Sequence, residues 1–162
     1  MTHSELVQKV FRDPVHWPAF GFGLGLAPKA PGTFGSLLGL PIWWFGWPYG
    51  ISAYLLLALL LFVLGVWICG ESAKRLGVHD HGGIVWDEVV GMMLTMTFVE
   101  PSIISAVLGF GLFRLMDIVK PWPILDIDHR LRGGFGIMLD DVLAAVYAGL
   151  ALAGIQYLLL NL

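Results

Sequence analysis

The sequence predicts an all-α protein, a polytopic helical bundle embedded in a membrane. Of its 162 residues, 57% are hydrophobic and 13% are charged, against roughly 25% charged residues in an ordinary soluble domain. The mean hydropathy is +0.80. Two runs without a charged residue, Ile51 to Cys69 and Val142 to Leu162, each approach the roughly 20 residues that a helix needs to cross a bilayer.

The chain begins with an amphipathic segment and a Gly/Pro-rich stretch. Apolar side chains recur near the N-terminus at Leu6, Val7, Val10 and Phe11. This helical spacing predicts a helix that lies on the membrane surface. Residues 21–35, GFGLGLAPKAPGTFG, are too rich in glycine and proline to be expected as a helix. We therefore expect one domain, residues 1–162, with an interfacial N-terminal part at 1–33 and a helical bundle at 34–162.

Three further segments complete a prediction of about five membrane-embedded helices. Residues 34–49 are uncharged but contain Pro41 and three tryptophans, which favours a short or bent first span. Residues 89–99 and 102–113 are each short and are separated by Glu100-Pro101. Because proline tends to stop a helix, we predict a tight helical hairpin here.

The charged residues gather on one face of this five-span arrangement. All nine Lys and Arg residues fall on the same side, which the positive-inside rule identifies as cytoplasmic. The opposite side receives Glu100 and the C-terminus. Eight acidic residues share the basic face, although the rule does not require them there: Asp80, Asp87, Glu88, Asp117, Asp126, Asp128, Asp140 and Asp141. This excess of carboxylates needs a second explanation.

Three predicted helix ends bring carboxylates into one interfacial layer. Asp87 and Glu88 open the third span, Asp117 closes the fourth, and Asp140 and Asp141 open the fifth. Magnesium takes oxygen ligands, often one or two carboxylates with waters and a substrate phosphate. Acidic residues at helix N-termini also complement the helix dipole, so each pair has a purely structural alternative. Asp117 at a C-terminal end does not, although Arg114 and Lys120 are close enough in sequence to neutralise it.

Residues 21–35 form a second candidate site. Their glycines allow backbone N–H groups to approach an anion, while Lys29 adds a charge and Thr33 a hydroxyl donor. A plain re-entry loop is the structural alternative. His81, as a proton relay, and Asp128, as an assisting carboxylate, complete the candidate residues.

Composition excludes several other classes of protein. The formal net charge of -3 argues against a nucleic-acid partner, which normally requires a basic patch. Cys69 is the only cysteine, which excludes an internal disulfide and every multi-cysteine metal site. A small cation- or proton-coupled transporter is the alternative from another class. Its usual signature, charge near the bilayer midplane, is missing from the two long spans.

Four motifs, taken together, resemble those of the phosphatidylglycerophosphatase A family. They are GLAPKAPGTFGS at 25–36, DHGGIVWDEVVGM at 80–92, FRLMDIVKPWPI at 113–124 and GGFGIMLDD at 133–141. The resemblance implies a magnesium-dependent lipid phosphatase of the bacterial inner membrane. Its substrate would be phosphatidylglycerophosphate, and its product phosphatidylglycerol, in phospholipid biosynthesis.

The resemblance also implies a set of site residues. The matching acidic and basic positions, expected to be catalytic, are Asp87, Glu88, Asp117, Lys120, Asp140 and Asp141. We expect the metal ligands to be Asp87, Glu88, Asp117 and Asp141. The phosphate would be held by Lys29, Thr33 and Arg114. Either a water molecule or one aspartate could attack phosphorus, and the motifs do not choose between them.

Overall fold

The computed structural model describes residues 2–160, apart from the side chains of Asp128, His129 and Leu160. The regular structure in this described part is entirely helical, which confirms the predicted all-α class. The eight α-helices of the described residues are α1 (His3–Arg12), α2 (His16–Ala19), α3 (Pro31–Gly46), α4 (Ile51–Leu76), α5 (Trp86–Thr95), α6 (Ile103–Val119), α7 (Ile124–Arg130) and α8 (Gly133–Leu160).

Two helices, rather than five, are long and apolar enough to cross a membrane in the described part of the chain. These are α4 and α8. The predicted first and fourth spans correspond to α3 and α6, which have 16 and 17 residues. At 1.5 Å per residue each is about 25 Å long, shorter than the roughly 30 Å hydrocarbon core. The predicted third span corresponds to α5, with 10 residues. The count of five membrane helices is therefore not confirmed.

The exterior of the two long helices is apolar. Each long helix contains an apolar stretch of 18 residues. Only 22% of this stretch in α4 and 28% in α8 is buried within the protein. Along α4, side chains such as Leu59, Leu60 and Val63 are 58–60% exposed. Monomeric soluble proteins rarely expose apolar patches of this extent. The observation therefore supports association with a membrane.

The predicted helical hairpin has the expected break. Helix α5 continues into a short 3₁₀ helix, Met96–Phe98, and α6 begins at Ile103 after the Glu100-Pro101 dipeptide. Ser102 caps α6 by accepting a hydrogen bond from the backbone N–H of Ser105 at 3.0 Å. The Glu100-Pro101 dipeptide thus separates two helices, as the sequence indicated.

Residues 21–35 are more helical than we predicted. Gly21–Leu26 forms an irregular 3₁₀ segment, and α3 already begins at Pro31. Proline suits the first helical position because its fixed φ matches the helix and its missing N–H costs no hydrogen bond. The preceding Ala30 turns the chain through a left-handed conformation, with φ 49°. Thr33 therefore lies in the first turn of a helix, and the helical bundle begins before residue 34.

Helices α5 and α8 are central to the bundle. They pack against each other, α5 also packs against α3, and α8 also packs against α4 and α6. The core between them contains large, fully buried side chains, among them Trp43, Tyr54, Met92, Phe113 and Leu152. Burial of one such side chain contributes about 1.5–3 kcal/mol. This packing fixes the relative positions of the helices that carry the acidic residues.

The N-terminal helices are held against the end of α4. Arg75 donates two hydrogen bonds to the carboxylate of Asp13, at 2.8 and 2.9 Å. These bonds hold the pKa of Asp13 below its usual range. Nearby, Nδ1 of the buried His16 lies 2.7 Å from the hydroxyl of Ser72. Helices α1 and α2 are thus attached to the same end of the bundle as the start of α5.

Candidate active site

Three carboxylates from two helices meet at one end of the bundle. Asp87 and Glu88 belong to the first turn of α5, and Asp141 belongs to α8. Each offers one oxygen, and these three oxygens lie within 4.8 Å of one another. Asp141 is 2% exposed and Asp87 is 9% exposed. Sequence reasoning predicted that carboxylates from separate helices would converge, and these three do. We call them the acidic cluster.

A glycine in α5 permits this convergence. A Cβ atom on Gly91 would lie 3.2 Å from Cβ of Asp141 and 2.6 Å from the ring of Phe113. Because Gly91 has no side chain, α6 and α8 can both approach the first turns of α5. The close approach brings Asp141 of α8 to the carboxylates at the start of α5.

The prediction that Asp140 and Asp141 open a helix is wrong. Helix α8 begins at Gly133, so the pair lies in its third turn. Gly134, in the first turn of α8, fits closely against α4. A side chain on Gly134 would collide with the backbone carbonyl of Val66. Since the helix dipole acts mainly on charges in the first turn, it does not explain these two carboxylates.

Asp117 pairs with an arginine. The guanidinium of Arg114 lies 2.5 Å from the Asp117 carboxylate and 3.9 Å from Oε1 of Glu88. Asp117 also adjoins Asp141, but it is not part of the group of three carboxylates that could share an ion. Asp117 as a fourth metal ligand therefore stays a prediction. In the structure its ion pair places Arg114 beside Glu88.

Lys120 extends the site on the side of Asp140. Its ammonium nitrogen lies 2.5 Å from Oδ2 of Asp140. Lys120 follows the last residue of α6 and adopts a left-handed conformation with φ 44°. The sequence offered Asp117 as its neutralising partner, but the ion pair is made with Asp140 instead. The pair connects the end of α6 to α8 next to the acidic cluster.

The first two turns of α3 border the site, through two residues that the sequence analysis did not identify, Gly32 and Ser36. A Cβ atom on Gly32 would collide with Oε1 of Glu88 and would lie 3.1 Å from Nη1 of Arg114. The buried Ser36 donates a hydrogen bond to the Gly32 carbonyl at 2.8 Å and accepts one from Arg114 at 3.3 Å. The Gly-x-x-x-Ser spacing was a usable signal, because a helical serine often bonds the carbonyl four residues earlier.

The structure describes the side chains of three of the four remaining predicted site residues. Thr33 is half-buried in the same turn as Gly32, and Lys29 is exposed just before α3. His81 accepts a hydrogen bond at Nδ1 from the backbone N–H of Gly83, at 3.0 Å. This bond orients the ring within its own loop, and His81 is not among the clustered metal-type ligands. The Asp128 side chain lies outside the described residues.

The donor set fits a hard divalent cation. One oxygen each of Asp87, Glu88 and Asp141 is buried without a hydrogen-bond partner among the described residues. Among the described residues, the five carboxylates lie beside two cations, Arg114 and Lys120, so this set of seven side chains has a formal excess of three negative charges when all are ionised. Buried charges are costly unless they are paired or coordinate a metal. Oxygen ligands without thiolate or imidazole favour an ion such as magnesium.

Comparison with known proteins gives consistent matches over most of the chain. The sequence profile of the phosphatidylglycerophosphatase A family matches residues 17–156. Two similar proteins carry the same name, phosphatidylglycerophosphatase A. The one from Haemophilus influenzae is 42% identical over 163 residues, covering 99% of this chain and 100% of that protein. The one from Escherichia coli K12 is 44% identical over 146 residues, covering 90% and 83%.

A third relative carries a different name. A protein from Bacteroides thetaiotaomicron, provisionally named a phosphatidylinositol-3-phosphatase, is 37% identical over 144 residues. The match covers 82% of this chain and 87% of that protein. No solved structure matches the chain.

Proposed function

Since the chain belongs to the phosphatidylglycerophosphatase A family and is therefore a phosphatase, we propose that it hydrolyses phosphatidylglycerophosphate to phosphatidylglycerol and inorganic phosphate. The observation that carries this proposal is the acidic cluster beside Arg114. Family membership also sets aside the transporter alternative. The expected context is phospholipid biosynthesis in a bacterial membrane.

The site residues divide into two groups by charge. Asp87, Glu88 and Asp141 would hold Mg²⁺, which when bound offsets their negative charge, polarises a phosphoryl oxygen and activates water. Arg114 and Lys120 would contact the phosphate oxygens, since each is already oriented by a carboxylate, Asp117 and Asp140 respectively. Phosphoryl transfer depends mainly on such positioning and charge stabilisation. Lys29 and Thr33 would approach the phosphate from the start of α3.

The reaction breaks the bond between phosphorus and the terminal glycerol oxygen. Oxygen from water ends on the released phosphate, and the leaving oxygen takes a proton to become the hydroxyl of phosphatidylglycerol. Arg114 stabilises the developing charge because its guanidinium is fixed by Asp117 on one side and Ser36 on another. Arg114 Nε is buried without a hydrogen-bond partner among the described residues, so Arg114 retains a donor for an incoming anion.

A panel of lipid phosphates tests the proposed substrate. We expect the purified protein to release phosphate from phosphatidylglycerophosphate at least tenfold faster than from phosphatidylinositol 3-phosphate or phosphatidate. Glycerol 3-phosphate should react more slowly still, because it lacks the membrane anchor that holds a phosphate at the site, and orientation can contribute several kcal/mol. Faster hydrolysis of phosphatidylinositol 3-phosphate would assign a different lipid headgroup to the same site.

We further propose that the protein is a multi-pass protein of the inner membrane, with its acidic cluster on the cytoplasmic side. Support comes from the basic residues at the same end, including Arg75 near the end of α4 and Lys120 after α6. In a Cys69→Ser background, an impermeant thiol reagent added from outside should label Glu100→Cys but not Arg130→Cys. Labelling of both positions from one side would contradict this topology.

A further inference from the structure

Phe22 adopts a backbone conformation that its own packing does not explain. It lies in the 3₁₀ segment Gly21–Leu26 with φ 57° and ψ 30°, in the left-handed region that is costly for a bulky residue. Its side chain is nevertheless 57% exposed. Strain of this kind is usually offset by burial or retained for function. Burial does not offset it here, because more than half of the ring remains accessible.

The surrounding contacts hold the strained segment in place. The backbone N–H groups of Gly23 and Gly25 both donate to the carbonyl of Phe20, at 3.0 and 2.9 Å. A side chain on Gly25 would collide with the carbonyl of Gly83, which precedes α5 by three residues. The segment is thus pressed against the loop that leads into the acidic cluster. The backbone of Phe22 is therefore held beside that loop.

The Phe22 ring belongs to a row of aromatic side chains that ends at Trp86, the residue before Asp87. Its centroid lies 5.7 Å from that of Trp17 and 6.4 Å from that of Trp86, both in edge-on geometry. Trp17 is 48% exposed, whereas Trp86 is 7% exposed. Trp86 directly precedes Asp87 of the acidic cluster. The row therefore runs from an accessible surface to the residue adjoining a proposed metal ligand.

The inner end of the row, Trp86, lies at the level of lipid chains if α4 crosses the bilayer. The indole N–H of Trp86 donates to the carbonyl of Leu61 at 3.1 Å. Leu61 belongs to the uncharged stretch Ile51 to Cys69 of α4. Trp86 thus contacts the apolar part of α4. The exposed rings of Phe22 and Trp17 are uncharged, so an acyl chain can pack against them.

We infer that Phe22 and Trp17 contact the acylglycerol part of the lipid substrate and make the site select a membrane-anchored phosphate over a water-soluble one. This inference rests on the proposed function. The aromatic rings hold the apolar end of the substrate while its phosphate reaches the acidic cluster. The left-handed backbone of Phe22 is what presents the ring to the lipid.

Kinetics on two substrates test the inference. Phe22→Ala should lower the ratio of kcat/KM for phosphatidylglycerophosphate to that for glycerol 3-phosphate by about tenfold, the size expected when one half-exposed ring loses its apolar contact. The loss should lie in KM, measured as surface concentration in mixed micelles. Phe22→Leu should lose less, because it keeps an apolar side chain. Phe45→Ala is the matched control, since Phe45 is 74% exposed near the other end of α3.

Phe22→Gly separates a functional role from a structural one. Glycine tolerates the left-handed conformation, so this variant should be at least as thermally stable as the wild type. It should still lose selectivity for the lipid as Phe22→Ala does. An unchanged ratio in both variants, or a fall in kcat alone, would overturn the inference while leaving the proposed function intact. A wild-type protein that releases no phosphate from any lipid would overturn both.

Discussion

Asp87→Asn, Asp117→Asn and Asp141→Asn are each expected to lower turnover about a thousandfold or more. The amide at position 87 or 141 removes a charged oxygen from the acidic cluster, whose three oxygens lie within 4.8 Å of one another. A bound cation supplies several kcal/mol of transition-state stabilisation. Asparagine at position 117 acts differently, because it releases Arg114 from its ion pair. The measurement is the initial rate of phosphate release from the lipid.

Stability should not follow this loss of activity. In the metal-free protein, the carboxylates of the cluster repel one another, so Asp141→Asn removes a buried negative charge from a crowded set. We therefore expect the apparent Tm of the metal-free variant to equal or exceed that of the wild type. Glu100→Gln is the control, since Glu100 is exposed at the hairpin turn. Near-normal turnover in any variant would remove that residue from the site.

Much of the architecture could be predicted from hydropathy and helix-breaking residues. The uncharged runs correspond to α4 and to most of α8, and Glu100-Pro101 separates α5 from α6. These features are local, because they depend on side-chain polarity and backbone restriction within one segment. That acidic residues of separate segments would gather on one face followed from the predicted topology. The convergence of Asp141 with Asp87 and Glu88 needs packing as well, because Asp141 lies in the third turn of α8 and approaches α5 at Gly91.

The errors arise where contacts between distant segments decide the structure. Glycine and proline suggested irregular chain before α3, yet Pro31 begins a helix whose Gly32 adjoins Glu88. Similarly, Gly134 is helical because its missing side chain lets α8 approach Val66 of α4. Helix propensity alone disfavours glycine at positions 32 and 134, and tertiary packing overrides this preference.

The partners of individual charges were also beyond sequence spacing. Lys120 stood three residues from Asp117, but its ion pair with Asp140 depends on the left-handed turn after α6. The hydrogen bond from Arg114 to Ser36 joins residues 78 positions apart. Such contacts become visible only when the helices are packed together.

Removal of divalent cations should abolish turnover, and this effect should be as large as that of the carboxylate substitutions. The acidic cluster contributes three buried oxygens that have no hydrogen-bond partner among the described residues. A phosphate monoester would add up to two further negative charges to this already acidic site. Without a cation, repulsion would oppose both substrate binding and the transition state. Magnesium should restore activity better than zinc, because the ligands are hard oxygens.

Phosphate release from phosphatidylglycerophosphate is therefore the most direct measurement of whether the acidic cluster performs metal-assisted hydrolysis. The purified protein would be dialysed against a chelator, assayed in mixed micelles, and assayed again after Mg²⁺ is added. We predict background rates in the metal-free protein and recovery to the initial rate with Mg²⁺, with no recovery in Asp141→Asn. Full turnover of the wild type in the continued presence of chelator would rule out metal-assisted hydrolysis.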